Sequence, residues 1–243
     1  MTENGSIRPW ATMLIALIAA CSLVAVAHAT DAGAQTQSPP LSGKTIVLDP
    51  GHGGNDWGAR YVDAANKIDV KEKDQVLDVA RRLRALLVAD GATVVMTRDD
   101  DRQLSNTQRA GIANSVPGAN VLISVHMNGS STSATDYTTT LFGNWRKDKA
   151  LAYAVFGDPK ATSPYGLVSL RAASGTGNIA SRSPYSYASG VLIKSNMPAT
   201  IAETVFVTNP NEAKLLSDGT GARQQEIAQK LRQGVRKYLV GTP

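Results

Sequence analysis

The chain has 243 residues, 42% of them apolar and 19% charged, with a net charge of +5. That composition excludes a disordered chain and a multi-span membrane protein, and fits one large domain or two small ones with an ordinary core. The small positive excess suits an anionic surface such as a cell wall and falls far short of a nucleic-acid binder.

The amino terminus stands apart from that core. Arg8 makes a basic start, Met13 to Ala27 is largely apolar, and Ala27-His28-Ala29 has the small-x-small form of a signal-peptidase site. Residues 1–29 are therefore expected to be a secretory signal peptide, with an uncleaved anchor or acylation at Cys21 as the alternatives. Cleavage removes the only cysteine, Cys21, and one of the three histidines, His28. The exported chain then has no disulfide, and any histidine chemistry rests on His52 and His126. Residues 30–42 are polar, contain Pro39-Pro40 and read as a linker. That leaves 43–241 as the folded domain.

The apolar run Ile46-Val47-Leu48 predicts a buried strand, stopped by Asp49-Pro50-Gly51. His52 follows at once between glycines, which delivers an imidazole at the mouth of the strand. Gly58 to Lys67 reads as a loop. Asp69 to Asp90 carries Val76, Val79, Ala80, Leu83, Leu86 and Leu87 at helical spacing and closes on Gly91. Thr93 to Thr97 is a second buried strand, Leu104 to Ala113 a short helix and Pro117-Gly118 a turn. Val121 to Val125 is a third strand that runs directly into His126.

Further on, Tyr137 to Phe142 reads as a strand and Trp145 to Phe156 as a helix. Gly157 to Gly190 shows no period, and a stretch that long is expected to be a functional or mobile loop. Order returns at Val191 to Ile193. Thr200 to Val207 is an apolar strand with Glu203 in its middle, followed by helices at Pro210 to Leu216 and Ala222 to Leu239. The alternation predicts an α/β fold: a single domain built on a mostly parallel twisted sheet with helices on both faces. His52 and His126 each follow the carboxyl end of a strand. In a parallel sheet those ends share one edge, so the two imidazoles are expected to be neighbours.

Two histidines are one ligand short of a catalytic zinc site, and without cysteine the third must be a carboxylate. Glu72, at the helix start, is the candidate. Its other reading is a capping box with Asp69 as N-cap. Glu203 is the second unusual acid, because a carboxylate in an apolar strand is either paired or functional with a raised pKa. Arg98 and Arg109 are the candidate partners in the first case. Asp49 is expected to shape the turn or to orient the His52 ring. Neither H-E-x-x-H nor G-x-S-x-G occurs.

Five ordered blocks then carry a family resemblance: IVLDPGHGG (Ile46 to Gly54), Lys71-Glu72-Lys73-Asp74, VVMTR (Val94 to Arg98), LISVHMN (Leu122 to Asn128) and IAETVFVTNPNEAKLL (Ile201 to Leu216). Together they resemble the zinc-dependent N-acetylmuramoyl-L-alanine amidases of the amidase-3 type. The resemblance implies one zinc ion held by His52, Glu72 and His126, with Glu203 as catalytic acid/base. Thr204 departs from the glycine or small apolar residue expected after that glutamate. The implied reaction cuts the amide between the lactyl group of N-acetylmuramic acid and the L-alanine of the stem peptide. A zinc peptidase on stem-peptide bonds and a non-catalytic peptidoglycan-binding regulator are the alternatives. The regulator should lack a metal or base position, and all four are present.

Asn128, Arg171 and Tyr185 are candidate substrate contacts, the last two from the 157–190 loop. The expected partner is peptidoglycan or a muropeptide, with no nucleic acid and no stable membrane insertion after signal cleavage. A monomer in the periplasm, in the cell wall or outside the cell is expected.

Overall fold

The computed structural model describes residues 38–243. The expected signal peptide and the linker up to residue 37 lie outside them. The strands, in chain order, are β1 (Thr45–Pro50), β2 (Arg60–Asp63), β3 (Ile68–Lys71), β4 (Thr93–Met96), β5 (Val121–Asn128), β6 (Thr139–Phe142), β7 (Tyr185–Ser186) and β8 (Ala199–Phe206). The helices are α1 (Glu72–Ala89), α2 (Asn106–Asn114), α3 (Lys149–Phe156), α4 (Gly190–Lys194), α5 (Pro210–Leu216) and α6 (Ala222–Val240).

Six strands form one sheet in the order β4-β1-β5-β8-β6-β7. The first four are mutually parallel, as the strand–helix alternation requires. Strand β6 is antiparallel to β8, and β7 runs parallel to β6. Strands β1 and β5 read as unbroken apolar runs because helices cover both of their faces. Ile46, Leu48, Ile123 and Val125 pack with α1, α3 and α6, while Val47, Leu122, Ala199 and Ile201 pack with α2 and α4.

The second of these helical layers is short: α2 has 9 residues and α4 only 5. Toward the carboxyl edge of the parallel strands it leaves the sheet face uncovered. There the same alternation brings up Asp49, Ser124, His126 and Glu203 in place of aliphatic residues, with His126 directly opposite Glu203. A cavity of about 560 Å³ opens over them.

Several expectations change. The 58–67 loop holds β2 and most of its turn, and β2 pairs antiparallel with β3 in a separate hairpin. Helix α1 therefore starts at Glu72, with Lys71 at the N-cap and no side-chain cap hydrogen bond. Asp69 lies in β3 and binds Arg60 instead, so the capping box does not form. The 157–190 stretch is only partly a surface loop. Leu167, Val168, Leu170 and Ile179 are buried, and Leu167–Ser169 forms a 3-10 turn. Val191 to Ile193 belongs to α4. At the amino end Leu41 is fully buried and donates its backbone N–H to Asp90 O, so the last residues of the expected linker belong to the folded body. No helix among the described residues is long and apolar enough to cross a membrane.

Candidate active site

His52 is delivered by a turn that only close backbone packing allows. It has φ of +57°, in the left-handed region that non-glycine residues avoid. Two buried arginines hold that turn. Arg98 donates to Pro50 O (3.0 Å) and Gly51 O (2.6 Å), and Arg109 to Pro50 O (2.6 Å) and His52 O (2.6 Å). Arg109 is itself neutralised by Asp49 at 2.8 Å. Asp49 also accepts from Thr97 Oγ1 and Ser124 Oγ, each at 2.6 Å. Asp49 thus shapes the turn through Arg109. Glycine is required at 51 because a Cβ there would stand 2.2 Å from the His126 ring.

The imidazoles of His52 and His126 lie edge to face with centroids 4.8 Å apart, as their shared sheet edge predicts. Glu72 sits between them. Its Oε1 is 3.1 Å from His52 Nε2 and 3.0 Å from His126 Nδ1, and it also accepts from Met127 N at 2.9 Å. Its Oε2 accepts from Ala59 N at 2.8 Å. Burial would favour the protonated acid, but the two histidines outweigh it and hold Glu72 at about 2. Burial likewise opposes charge on His126, yet the hydrogen bond and charge of Glu72 raise it to about 9.

Three side chains thus offer ligand atoms that all lie within 4.8 Å of one another. Two imidazoles and one carboxylate make a donor set suited to catalytic zinc, which keeps one position open. Against burial, Glu72 raises the pKa of both imidazoles, and a metal cation would compete with protons for the same ligand atoms. The residues fit the metal that the family resemblance implies.

Asp56 had no sequence-level candidacy. Its Oδ1 lies 2.9 Å from His52 Nδ1, which turns Nε2 toward Glu72 and fixes the ring. The only signal for it was a carboxylate four residues after His52 in a glycine-rich turn.

Glu203 faces the same cavity under opposite conditions. Its Oε2 is buried with no hydrogen-bond partner, and burial raises its pKa, with His126 opposing and Glu72 adding. The expected alternative pairing with Arg98 or Arg109 is absent, because both arginines are engaged at the His52 turn. Thr204 donates its hydroxyl to His126 O at 3.1 Å, so its side chain is occupied away from the carboxylate.

Asn128 and Tyr185 both line the cavity, and Asn128 Nδ2 is buried without a partner. Arg171 does not reach it. Its backbone N–H and Nε bind Glu226 of α6 at 3.0 and 3.4 Å, and its side chain lines a separate depression beside that helix.

A family model described as N-acetylmuramoyl-L-alanine amidase matches residues 46–237. The chain is 29% identical to the germination-specific N-acetylmuramoyl-L-alanine amidase of Bacillus subtilis, over 95% of this chain and 94% of that protein. It is 32% identical to the probable cell wall amidase LytH of Staphylococcus aureus, over 82% of this chain but 60% of that protein. The chain thus spans about 60% of the length of these staphylococcal relatives. Among solved structures, the catalytic domain of the amidase CwlV from Bacillus (Paenibacillus) polymyxa superposes with a TM-score of 0.66 at 29% identity. That match covers 81% of this chain and 98% of that one.

Proposed function

From the premise that the chain belongs to the N-acetylmuramoyl-L-alanine amidase family, we propose that it is an exported, zinc-dependent peptidoglycan hydrolase. It would cut the amide between the lactyl group of N-acetylmuramic acid and L-alanine. The observation that carries this reading is the convergence of His52, Glu72 and His126 beside Glu203, whose Oε2 is buried without a partner.

His52, Glu72 and His126 would hold one zinc ion. Zinc, when bound, supplies Lewis acidity, which polarises a carbonyl and can lower the pKa of water from 15.7 to about 7. Glu203 has no hydrogen-bond donor on Oε2 to compete for a proton. It would take one from the attacking water and return it to the departing alanine nitrogen. Burial raises its pKa, the direction that suits the return step, because a carboxyl that holds its proton more readily accepts it from water and delivers it to the leaving nitrogen. Asn128 Nδ2 and the Tyr185 side of the cavity would position the substrate.

The test is digestion of a muramoyl-peptide with and without chelator, read by mass spectrometry. Free stem peptide beginning at L-alanine is expected, lost with chelator and with Glu203→Gln. Fragments cut within the stem peptide would point to a peptidase instead. No release by zinc-loaded protein would remove the hydrolase reading.

A further inference from the structure

Outside the His52–Glu72–His126 cluster, the cavity has little positive charge. Asp49, Asp56, Glu72 and Glu203 line it against one arginine, Arg109, which is already bound to Asp49. A substrate that carries carboxylates needs a cation from the rim. On the β2–α1 side the nearby cations are matched: Arg60 and Lys71 with Asp69, Lys73 with Asp101, and Arg102 with Asp100.

Beyond the lining, on the β6–β7 side, the charges differ. Arg182 is exposed, and among the described residues its guanidinium forms no ion pair. It is held instead over the Tyr137 ring, 4.5 Å from the centroid, and that ring packs on Phe206 at 4.6 Å. The backbone is fixed as well, because Arg182 N donates to Thr138 O at 2.9 Å. The next residue, Thr139, lies directly opposite Glu203 in the sheet. The backbone of Arg182 is therefore two strand spacings from that of Glu203, roughly 10 Å at ~4.8 Å each. Tyr185, which lines the cavity, lies within electrostatic reach of both: burial and Glu203 raise its pKa, and Arg182 lowers it.

We propose that Arg182, seated on the Tyr137 ring, is a carboxylate-binding subsite that selects stem peptides with a free acid near the bond cleaved. A stacked guanidinium keeps its donor edge free and pre-oriented, which suits a two-pronged carboxylate contact. An extended peptide advances about 3.3–3.6 Å per residue, so the roughly 10 Å between the two backbones corresponds to about three residues from the scissile amide. The inference rests on the proposed activity and adds to it the charge of the preferred substrate.

Three muramoyl-tripeptides test it: one with all carboxyls free, one amidated at the second residue and one amidated at the third. Binding is read by titration on a Glu203→Gln background, where turnover does not interfere, and kcat/KM on the native protein. Amidation at one of the two positions should weaken binding by about tenfold or more, as loss of a charge-assisted contact does. Arg182→Gln should bring the acid down to the level of that amide, Arg182→Lys should recover part of the difference, and Arg171→Gln should keep all of it. Equal binding of the three peptides, discrimination that survives Arg182→Gln, or no binding at all would overturn the subsite. Hydrolysis that fails while the binding series discriminates would count against the proposed activity and leave the subsite standing.

Discussion

Glu72 and Glu203 face one cavity from opposite sides, and their surroundings could hardly differ more. On the β1–α1 side, Glu72 is met by two backbone N–H groups and two imidazoles, and His52 is braced by Asp56 and by the two arginines behind its turn. On the β8 side, Glu203 Oε2 has no partner. A carboxylate met by this many donors is held still and stays ionised, as the proposed ligand role requires. A carboxylate with a buried, unsatisfied oxygen is costly to the fold and ready to exchange a proton, as the proposed acid/base role requires. On the proposed reading, the two sides separate holding from reacting.

The strongest way to break that division is Glu203→Gln. Hydrolysis of a muramoyl-peptide should fall by about 10²–10⁴-fold, while zinc content, measured by atomic absorption after dialysis, stays at the native level. Lost zinc in this variant would mean that Glu203 also holds the metal. Next comes the brace behind His52. Arg109→Ala leaves Asp49 charged and buried without its partner, and should lower unfolding free energy in urea by about 3–5 kcal/mol. A loss below about 1 kcal/mol would mean that the turn is held by Arg98 alone.

A smaller effect is expected at Asp56. Asp56→Ala frees the His52 ring and should weaken zinc binding by about 10–100-fold in a chelator competition, with little change in melting temperature. Equal affinity would show that packing alone orients the ring.

The last effect lies away from the cavity and sharpens the comparison with a third buried acid. Glu212 is ion-paired with Arg223 on both oxygens and has Asp136 beside it. Burial raises its pKa to about 7 from 4.5, with Arg223 opposing and Asp136 adding. The native state then binds more protons than the unfolded one between those values. The stability this group contributes is full below the unfolded value and is lost as pH rises through the folded one. Glu212→Gln cannot titrate, so the stability of wild type relative to this variant should decline between about pH 5 and about pH 8. A constant difference would show that Arg223 keeps Glu212 ionised throughout.

The sequence made the parallel half of the sheet legible because a strand buried on both faces writes an unbroken apolar run, as at Ile46 to Leu48 and Val121 to Val125. The two histidines followed from strand ends, which are local features. The hairpin was missed because Arg60–Asp63 and Ile68–Lys71 are too short to show a period. That same hairpin turned Asp69 from a plausible helix cap into a partner for Arg60. Arg171 was misplaced for another reason: its position depends on Glu226, 55 residues away on α6, which no local pattern reports. The antiparallel direction of β6 and the contact from Asp56 to His52 are likewise set by tertiary packing. Arg182 and Arg171 look alike in the sequence, and only the fold separates them.

The left-handed backbone at His52 has a consequence for how this protein tolerates change. A non-glycine residue in that region costs on the order of 1–3 kcal/mol, and glycine would relieve it. Selection for stability alone would therefore drive position 52 toward glycine and erase the imidazole. A ranking of substitutions by thermal tolerance would favour glycine at 52, the residue the proposed chemistry can least spare.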